Sequence, residues 1–131
     1  MKVLIVEDDF MSRTLMIACL SHLGECHVAV NGKEAVEAFN TAVLKEVPYD
    51  LVTLDIMMPE MDGQSALKAM RAIEDEHESQ LRGNAKIVMT TALKDCQNVM
   101  GAFKNQCDGY LVKPITFEDV QNIVDTLGLG G

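Results

Sequence analysis

The segment LVTLDIMMPEMDG, residues 51–63, decides the fold because it reads as a buried strand that ends in a charged residue. Leu51–Leu54 is apolar enough for a strand buried on both faces, and Asp55 follows it directly. An ionised carboxylate is costly near a core unless it is paired, hydrogen-bonded or bound to a metal. The Asp62-Gly63 dipeptide then predicts a turn and a helix start. The pattern therefore places Asp55 where a strand emerges from the core, at the mouth of the fold.

The composition predicts one domain with a full hydrophobic core. The chain has 131 residues, a usual size for one domain, and we expect a single domain over 1–131. Hydrophobic residues make up 48% of it, enough for a core without disulfides or metal staples. A net charge of −9 argues against nucleic acid or an anionic membrane as a partner. Four cysteines without CxxC spacing predict reduced core residues in a cytoplasmic protein, and no apolar run reaches the roughly 18 residues of a membrane span.

Five short apolar runs alternate with stretches of helical periodicity. Four of the runs are nearly continuous, which is typical of parallel strands buried on both faces. Apolar residues between the runs recur every three or four positions and predict five helices. This alternation predicts an α/β fold, a single doubly wound five-stranded parallel sheet with helices on both faces. The predicted strands are Val3–Val6, Cys26–Val30, Leu51–Leu54, Lys86–Met89 and Tyr110–Val112.

The five predicted helices are marked by apolar stripes at 15–23, 35–43, 66–73, 96–103 and 120–127. Asn31 with Glu34 resembles a capping box at the start of the second helix, and Thr116 is the expected N-cap of the fifth. The long polar stretch Glu74–Asn84 is expected to extend the third helix and then to form a solvated loop.

Charged and polar residues follow four of the predicted strands. Open parallel sheets bind ligands beyond the carboxyl ends of their strands, and all four of these ends lie on one edge. Three carboxylates, a hydroxyl and an ammonium are therefore expected to converge there. The residues that follow the first, third, fourth and fifth strands are Glu7-Asp8-Asp9, Asp55, Thr90-Thr91 and Lys113-Pro114.

This set of side chains predicts phosphoryl transfer with Mg²⁺ as cofactor. Close carboxylates repel each other, so a cation must hold them or one must be protonated, and oxygen ligands suit Mg²⁺. A metal and a lysine can neutralise phosphoryl oxygens while an oxygen nucleophile, here Asp55, attacks in line. Each piece taken alone has a plainer explanation: an acidic pair can cap a helix, Thr91 can be a strand residue and Lys113 can be solvated. Their joint occurrence at four strand ends favours the chemical explanation.

Four motifs resemble those of the receiver domain of two-component response regulators. They are VLIVEDD at 3–9, DLVTLDIMMPEMDG at 50–63, IVMTTA at 87–92 and GYLVKPIT at 109–116. The likeness covers roughly residues 2–127 and is similar in element order to the stand-alone chemotaxis-type regulators. It implies a flavodoxin-like sheet with strand order 2-1-3-4-5. It also implies a signalling module rather than an enzyme, one that catalyses only its own phosphorylation and slow dephosphorylation.

The resemblance implies a role in metal binding for four residues. Asp8 and Asp9 would be the acidic pair of the family, with Asp9 a direct Mg²⁺ ligand and Asp8 acting largely through water. Asp55 would be both the phosphorylated aspartate and a ligand. Met57 would lend its backbone carbonyl to the metal.

The resemblance also implies catalytic and switching roles. Thr91 would hydrogen-bond one phosphoryl oxygen and Lys113 would pair with another. Tyr110 matches the switch aromatic, which turns inward when Thr91 moves toward the phosphate. The bond from Lys113 to Pro114 matches one that is usually cis in this family, and the proline makes the cis form accessible.

The same resemblance predicts how a signal enters and leaves. A phosphohistidine on a sensor histidine kinase or a histidine phosphotransfer protein would donate to Asp55. Phosphorylation would then change the conformation of one face, formed by the fourth predicted helix, the fifth strand and the fifth helix. This face would bind a downstream protein target or form a weak dimer, with no direct contact to nucleic acid or membrane. Met57 and Leu93 would border the path of the hydrolytic water, and their apolar side chains predict slow self-dephosphorylation.

Three other interpretations of the function stay open at this point. A haloacid-dehalogenase-type phosphatase also uses an aspartyl nucleophile with Mg²⁺, but after the first strand and with a second Asp two residues on, where this chain has Met57. A flavodoxin-like cofactor carrier would offer hydroxyls and amides to a phosphate in its first loop, which here is acidic. A non-phosphorylated receiver-like binding module would not need the phosphorylation residues that this chain carries.

Overall fold

Strands and helices alternate through the described residues, which are 1–56, 61–81, 83–92 and 106–129 of this computed structural model. The strands are β1 Lys2–Val6, β2 Glu25–Ala29, β3 Leu51–Asp55, β4 Lys86–Ala92 and β5 Gly109–Lys113. The helices are α1 Phe10–Leu20, α2 Gly32–Leu44, α3 Gly63–Glu76 and α4 Phe117–Thr126. In this numbering α4 is the fifth helix predicted from the sequence. The fourth predicted helix falls on residues 93–105, outside the described residues, and stays a prediction.

All neighbouring strands pair in parallel, in the order β2-β1-β3-β4-β5, which confirms the predicted sheet. The chain leaves β1 for one edge strand and then returns to build the other side of the sheet, so the strand order switches at β1. Val6 pairs with Leu54, so the residues that follow β1 come level with Asp55 at the end of β3. A switch of this kind opens a crevice at the carboxyl edge of the sheet.

Helices cover both faces of the sheet and leave its central strands buried. β3 is buried along its whole length, which explains its continuous apolar run. On one face, Phe39 of α2 and Leu67 of α3 belong to the same buried cluster. On the other face, Leu20 of α1 and Val120 of α4 do the same. The rigid, two-sided core thereby fixes where each strand ends.

Side-chain caps start the helices where the sequence predicts them. The Asn31 side chain accepts from the backbone N–H of Glu34 at 2.8 Å at the start of α2. Thr116 and Asp119 form a reciprocal capping box at the start of α4. The described residues contain no helix that is both long and apolar enough to cross a membrane.

The polar stretch at Glu74–Asn84 extends the third helix, as predicted, and also contains one buried acidic residue. The helix does extend into it, as far as Glu76, and a short 3₁₀ turn follows at Glu78–Gln80. Glu74 is buried rather than solvated, with 2% of its surface exposed. Its carboxylate accepts hydrogen bonds from Arg71 at 2.6 Å and from the backbone N–H of Ala85 at 2.7 Å. A buried carboxylate is tolerated at this position because it is paired and hydrogen-bonded.

Candidate functional site

Three carboxylates meet at the carboxyl edge of the sheet. One oxygen each from Glu7, Asp8 and Asp55 lies within 4.8 Å of the other two. The side chains of Glu7 and Asp55 are buried, while Asp8 is exposed and forms the open side of the group. The geometry follows from the sheet, because β1 and β3 are neighbours and end level with each other.

Lys113, the last residue of β5, supplies the positive charge of this site. Its Nζ lies 2.9 Å from Glu7 Oε1 and 3.3 Å from Asp55 Oδ2. Burial alone would lower the pKa of Lys113, but the hydrogen bond to Glu7 and the charges of Asp55 and Glu7 raise it above its ordinary value. The ammonium therefore stays charged and bridges the two buried carboxylates.

Within this group, Glu7 is the carboxyl whose ionised form is disfavoured by its surroundings. Burial and its contact with Asp55 raise the pKa of Glu7 above its ordinary value, and the hydrogen bond from Lys113 opposes this only in part. Two carboxylates this close repel each other when both are ionised, and one ammonium contacts both of them. A cation between the three oxygens would relieve this repulsion.

Asp9 lies elsewhere than the sequence analysis expected. It is the N-cap of α1, where its Oδ2 accepts from the backbone N–H of Ser12 at 2.8 Å. That hydrogen bond lowers the pKa of Asp9 below its ordinary value. Glu7 takes the place predicted for Asp9 in the cluster, so the acidic pair beside Asp55 is shifted by one residue. Aspartate is a common N-cap residue, and Asp9 precedes the first predicted helix, whose apolar stripe covers 15–23.

Tyr110 lies on β5 as expected, whereas Thr91 lies within β4, which continues to Ala92 beyond the predicted end at Met89. Thr90 pairs with Asp55 across the β3–β4 ladder, and Thr91 lies one residue further toward the carboxyl edge. The buried Thr91 hydroxyl donates to the carbonyl of Ala92 at 3.1 Å. Tyr110 on β5 is 37% exposed. Its ring borders a groove of about 350 Å³ between β5 and α4.

Two predicted site residues, Met57 and Leu93, lie outside the described residues. Their assigned roles in metal binding and in dephosphorylation therefore stay predictions. The bond from Lys113 to Pro114 is cis, as the resemblance implied.

Two glycines, Gly63 of the predicted turn and Gly32, which the sequence analysis did not single out, bring helix starts close to the backbone that follows Asp55. The N–H of Gly63 donates to the carbonyl of Ile56 at 2.9 Å, and the N–H of Gly32 donates to the carbonyl of Met61 at 3.1 Å. A Cβ at position 63 would collide with the backbone of Asp55, and one at position 32 would collide with Met61. Only glycine permits these close approaches.

The donor set fits Mg²⁺. Oxygen-only ligands from a few carboxylates, with an exposed side left for water, are what this hard cation takes in proteins. The described residues contain no other group of three metal-ligating side chains in such proximity.

Comparison with known proteins agrees with this geometry. The family model described as "Response regulator receiver domain" matches residues 3–125. The chemotaxis protein CheY of Thermotoga maritima is 35% identical, over 86% of this chain and 85% of that protein. The hybrid signal transduction histidine kinase G of Dictyostelium discoideum is 34% identical over 98% of this chain, which spans only 4% of that protein's length.

Solved structures of receiver domains share the architecture. The receiver domain of a Pseudomonas aeruginosa sensor histidine kinase, with magnesium coordinated in its active-site cleft, is 27% identical with a TM-score of 0.76. That match covers 99% of this chain and 98% of the other. A Clostridium thermocellum receiver domain protein, 22% identical with a TM-score of 0.74 over 98% of this chain and 97% of the other, supports the fold alone. With a family match over most of its length, this chain belongs to the receiver domains of response regulators.

Proposed function

We propose that this receiver domain, extending over 1–131, accepts a phosphoryl group on Asp55 from a phosphohistidine of a sensor histidine kinase or a histidine phosphotransfer protein. The observation that carries the proposal is the proximity of the Asp55 carboxylate to those of Glu7 and Asp8 and to the ammonium of Lys113. Membership of the family supports the proposal. It leaves the phosphatase and cofactor-carrier alternatives without support.

Glu7, Asp8 and Asp55 are the residues proposed to hold Mg²⁺. Bound there, the ion would neutralise charge on the phosphoryl oxygens. The magnesium-containing receiver domain from Pseudomonas supports this choice of metal. The backbone carbonyl of Met57 is proposed as a further ligand from the resemblance alone.

The proposed reaction is an in-line displacement at phosphorus. One oxygen of the Asp55 carboxylate attacks, an O–P bond forms, and the P–N bond to the donor imidazole breaks with its electron pair going to the ring nitrogen. Lys113, whose Nζ lies 2.9 Å from Glu7, would pair with a phosphoryl oxygen on Asp55. The Thr91 hydroxyl would exchange its hydrogen bond to Ala92 for one to a second phosphoryl oxygen.

Incubation with acetyl phosphate and Mg²⁺, followed by intact mass measurement, tests the acceptor. We expect a gain of one phosphoryl group in the parent chain and none in Asp55→Asn. Asp62→Asn is the matched control, because Asp62 caps α3 through Ser65 and asparagine caps equally well. Equal phosphorylation of the parent and Asp55→Asn would refute the assignment of Asp55.

Phosphoramidate tests the class of donor, because its P–N bond is of the same kind as that of phosphohistidine. Transfer from phosphoramidate to Asp55 supports the proposed donor. If neither donor adds a phosphoryl group while the folded protein binds Mg²⁺, the non-phosphorylated binding module becomes the better explanation.

The output face is proposed to comprise the fourth predicted helix, β5 and α4. The part within the described residues is the groove bordered by Tyr110 and Ile123. Loss of the Thr91 hydrogen bond to Ala92 on phosphorylation would change the end of β4 beside this face. Amide exchange measured with and without beryllofluoride tests this, and changes confined to α1 and α2 would contradict it.

A cytoplasmic protein partner is proposed for that face, with a weak dimer of two copies as one form it can take. The net charge of −9 disfavours nucleic acid and anionic membranes. Cys19, Cys26 and Cys107 are free thiols, in keeping with a reducing compartment. Tight DNA binding by the chain at physiological salt would contradict the proposal.

A further inference from the structure

Arg13 reaches back from the first turn of α1 to the turn that carries the acidic pair. Its Nη1 lies 3.2 Å from the carbonyl oxygen of Glu7 and 3.4 Å from that of Asp8. Its guanidinium carbon lies 5.6 Å from the centroid of the Phe10 ring. A single side chain thus contacts two consecutive carbonyls and is itself held by a neighbouring ring.

The carbonyls of Glu7 and Asp8 lie in the turn where the chain leaves the sheet after β1. The N–H of Glu7 donates to the carbonyl of Ala29 at 3.0 Å, immediately after the last residue of β1. Asp9 then begins α1, so the chain turns from strand to helix within Glu7 and Asp8. The carboxylates of these same two residues meet Asp55. Any change in the peptide orientation at this turn therefore moves two of the three oxygens of the cluster.

We propose that Arg13 is a positioning residue for the metal site. By binding the carbonyls of Glu7 and Asp8, it fixes the turn so that both carboxylates face the cation. The inference rests on the proposed binding of Mg²⁺.

The charge of Arg13 and its two hydrogen bonds have opposite expected effects on the affinity for Mg²⁺, which makes the inference testable. A guanidinium this close to a cation site repels a bound cation through its charge. Removal of that charge alone would tighten Mg²⁺ binding. Removal of the two hydrogen bonds would loosen it, because the carboxylates would lose their fixed orientation.

Calorimetric titration of Mg²⁺ into the full chain and its Arg13→Met and Arg13→Gln variants is the test. We expect Mg²⁺ to bind about tenfold more weakly to both neutral variants, the lower end of what loss of a ligand-orienting group costs. Arg13→Lys, which keeps a charged donor, should bind with an affinity between those of the parent and the neutral variants.

Two controls separate this effect from net charge and from stability. Lys45→Met removes the same charge from an exposed position at the far end of α2 and should leave the Mg²⁺ affinity unchanged. Val124→Ala lowers the stability of α4 packing without touching the turn and should also leave it unchanged. Equal or tighter Mg²⁺ binding in the neutral Arg13 variants would overturn the inference. A parent chain that does not bind Mg²⁺ would instead refute the proposed metal site.

Discussion

Lys113 sets the charge balance of the site because its ammonium contacts Glu7 and Asp55 at the same time. If all three carboxylates of the cluster are ionised, they carry −3 and the ammonium +1, which leaves −2. That remainder equals the charge of one divalent cation. The chemistry expected of Asp55 thus depends on a lysine that arrives from β5, which is separated from β3 by β4.

Substitution of neighbouring aspartates tests the shift of the acidic pair by one residue. We predict that Asp8→Asn weakens Mg²⁺ binding strongly, because it removes a charge from the carboxylate cluster. Asp9→Asn should change it little, because Asp9 caps α1 and asparagine preserves the cap. Calorimetric titration measures both affinities. A strong loss in Asp9→Asn with little loss in Asp8→Asn would restore the original assignment.

The lifetime of the acyl phosphate is predicted from two residues that stay sequence-based assignments, Met57 and Leu93. Large apolar side chains cannot orient a hydrolytic water and can obstruct its approach. We therefore expect slow self-dephosphorylation in the parent and faster loss in the variant that combines Met57→Asn with Leu93→Glu. Phosphoryl loss is timed by intact mass after removal of the donor. An unchanged rate in the double variant would rule out control by these positions.

At the scale of elements, an ion-pair network ties the end of α3 to two strand starts. Arg71 binds the carboxylates of Glu74 at 2.6 Å and Asp108 at 2.9 Å. It also donates to the carbonyls of Ala85, just before β4, and Gln106, which precedes β5. The network lies at the opposite edge of the sheet from Asp55. The network joins the segments that lead into β4 and β5, the two strands whose far ends carry Thr91 and Lys113.

Loss of one partner from this network should lower the stability of the fold. We predict that Arg71→Met lowers the free energy of unfolding by about 3–5 kcal/mol, because it leaves the buried Glu74 carboxylate without its cation. Urea unfolding measures the change. The double variant Arg71→Met with Glu74→Met should recover part of the loss, since it removes the unpaired charge. A loss below about 1 kcal/mol in Arg71→Met would mean that the pair behaves like an exposed one.

At the scale of the whole molecule, folding forces like charges together at the switch in strand order. Burial, together with the neighbouring Asp55 carboxyl, raises the pKa of Glu7 at this place. A carboxyl with a raised pKa in the folded state contributes stability that is full below its unfolded pKa and is lost as the pH rises through the folded value. Without metal, Glu7 therefore opposes folding increasingly between its ordinary pKa of 4.5 and its raised value.

Stabilisation by Mg²⁺ should consequently depend on pH. We predict that saturating Mg²⁺ raises the melting temperature more at neutral pH, where Glu7 must ionise, than near its ordinary pKa of 4.5. Thermal unfolding with and without Mg²⁺ at the two pH values measures this. Glu7→Gln is the control and should flatten the dependence. A larger Mg²⁺ effect at the acidic pH would contradict the prediction.

The sequence by itself determined the parallel sheet, its strand order through the family motifs, and the candidate acceptor Asp55. These follow from local properties: the continuous apolar runs of buried strands, the caps at Asn31 and Thr116, and the position of a carboxylate directly after a strand. Such signals need only neighbouring residues and therefore survive in the printed sequence.

Only the tertiary structure decided which acid joins Asp8 and Asp55 and how the charges are paired. Glu7 and Asp9 are equally acidic in the sequence, but strand register turns one toward β3 while helix capping occupies the other. The burial of Glu74 likewise depends on Arg71 and on strands remote in the chain. Distances between residues far apart in sequence arise from packing, so no local pattern could assign these contacts.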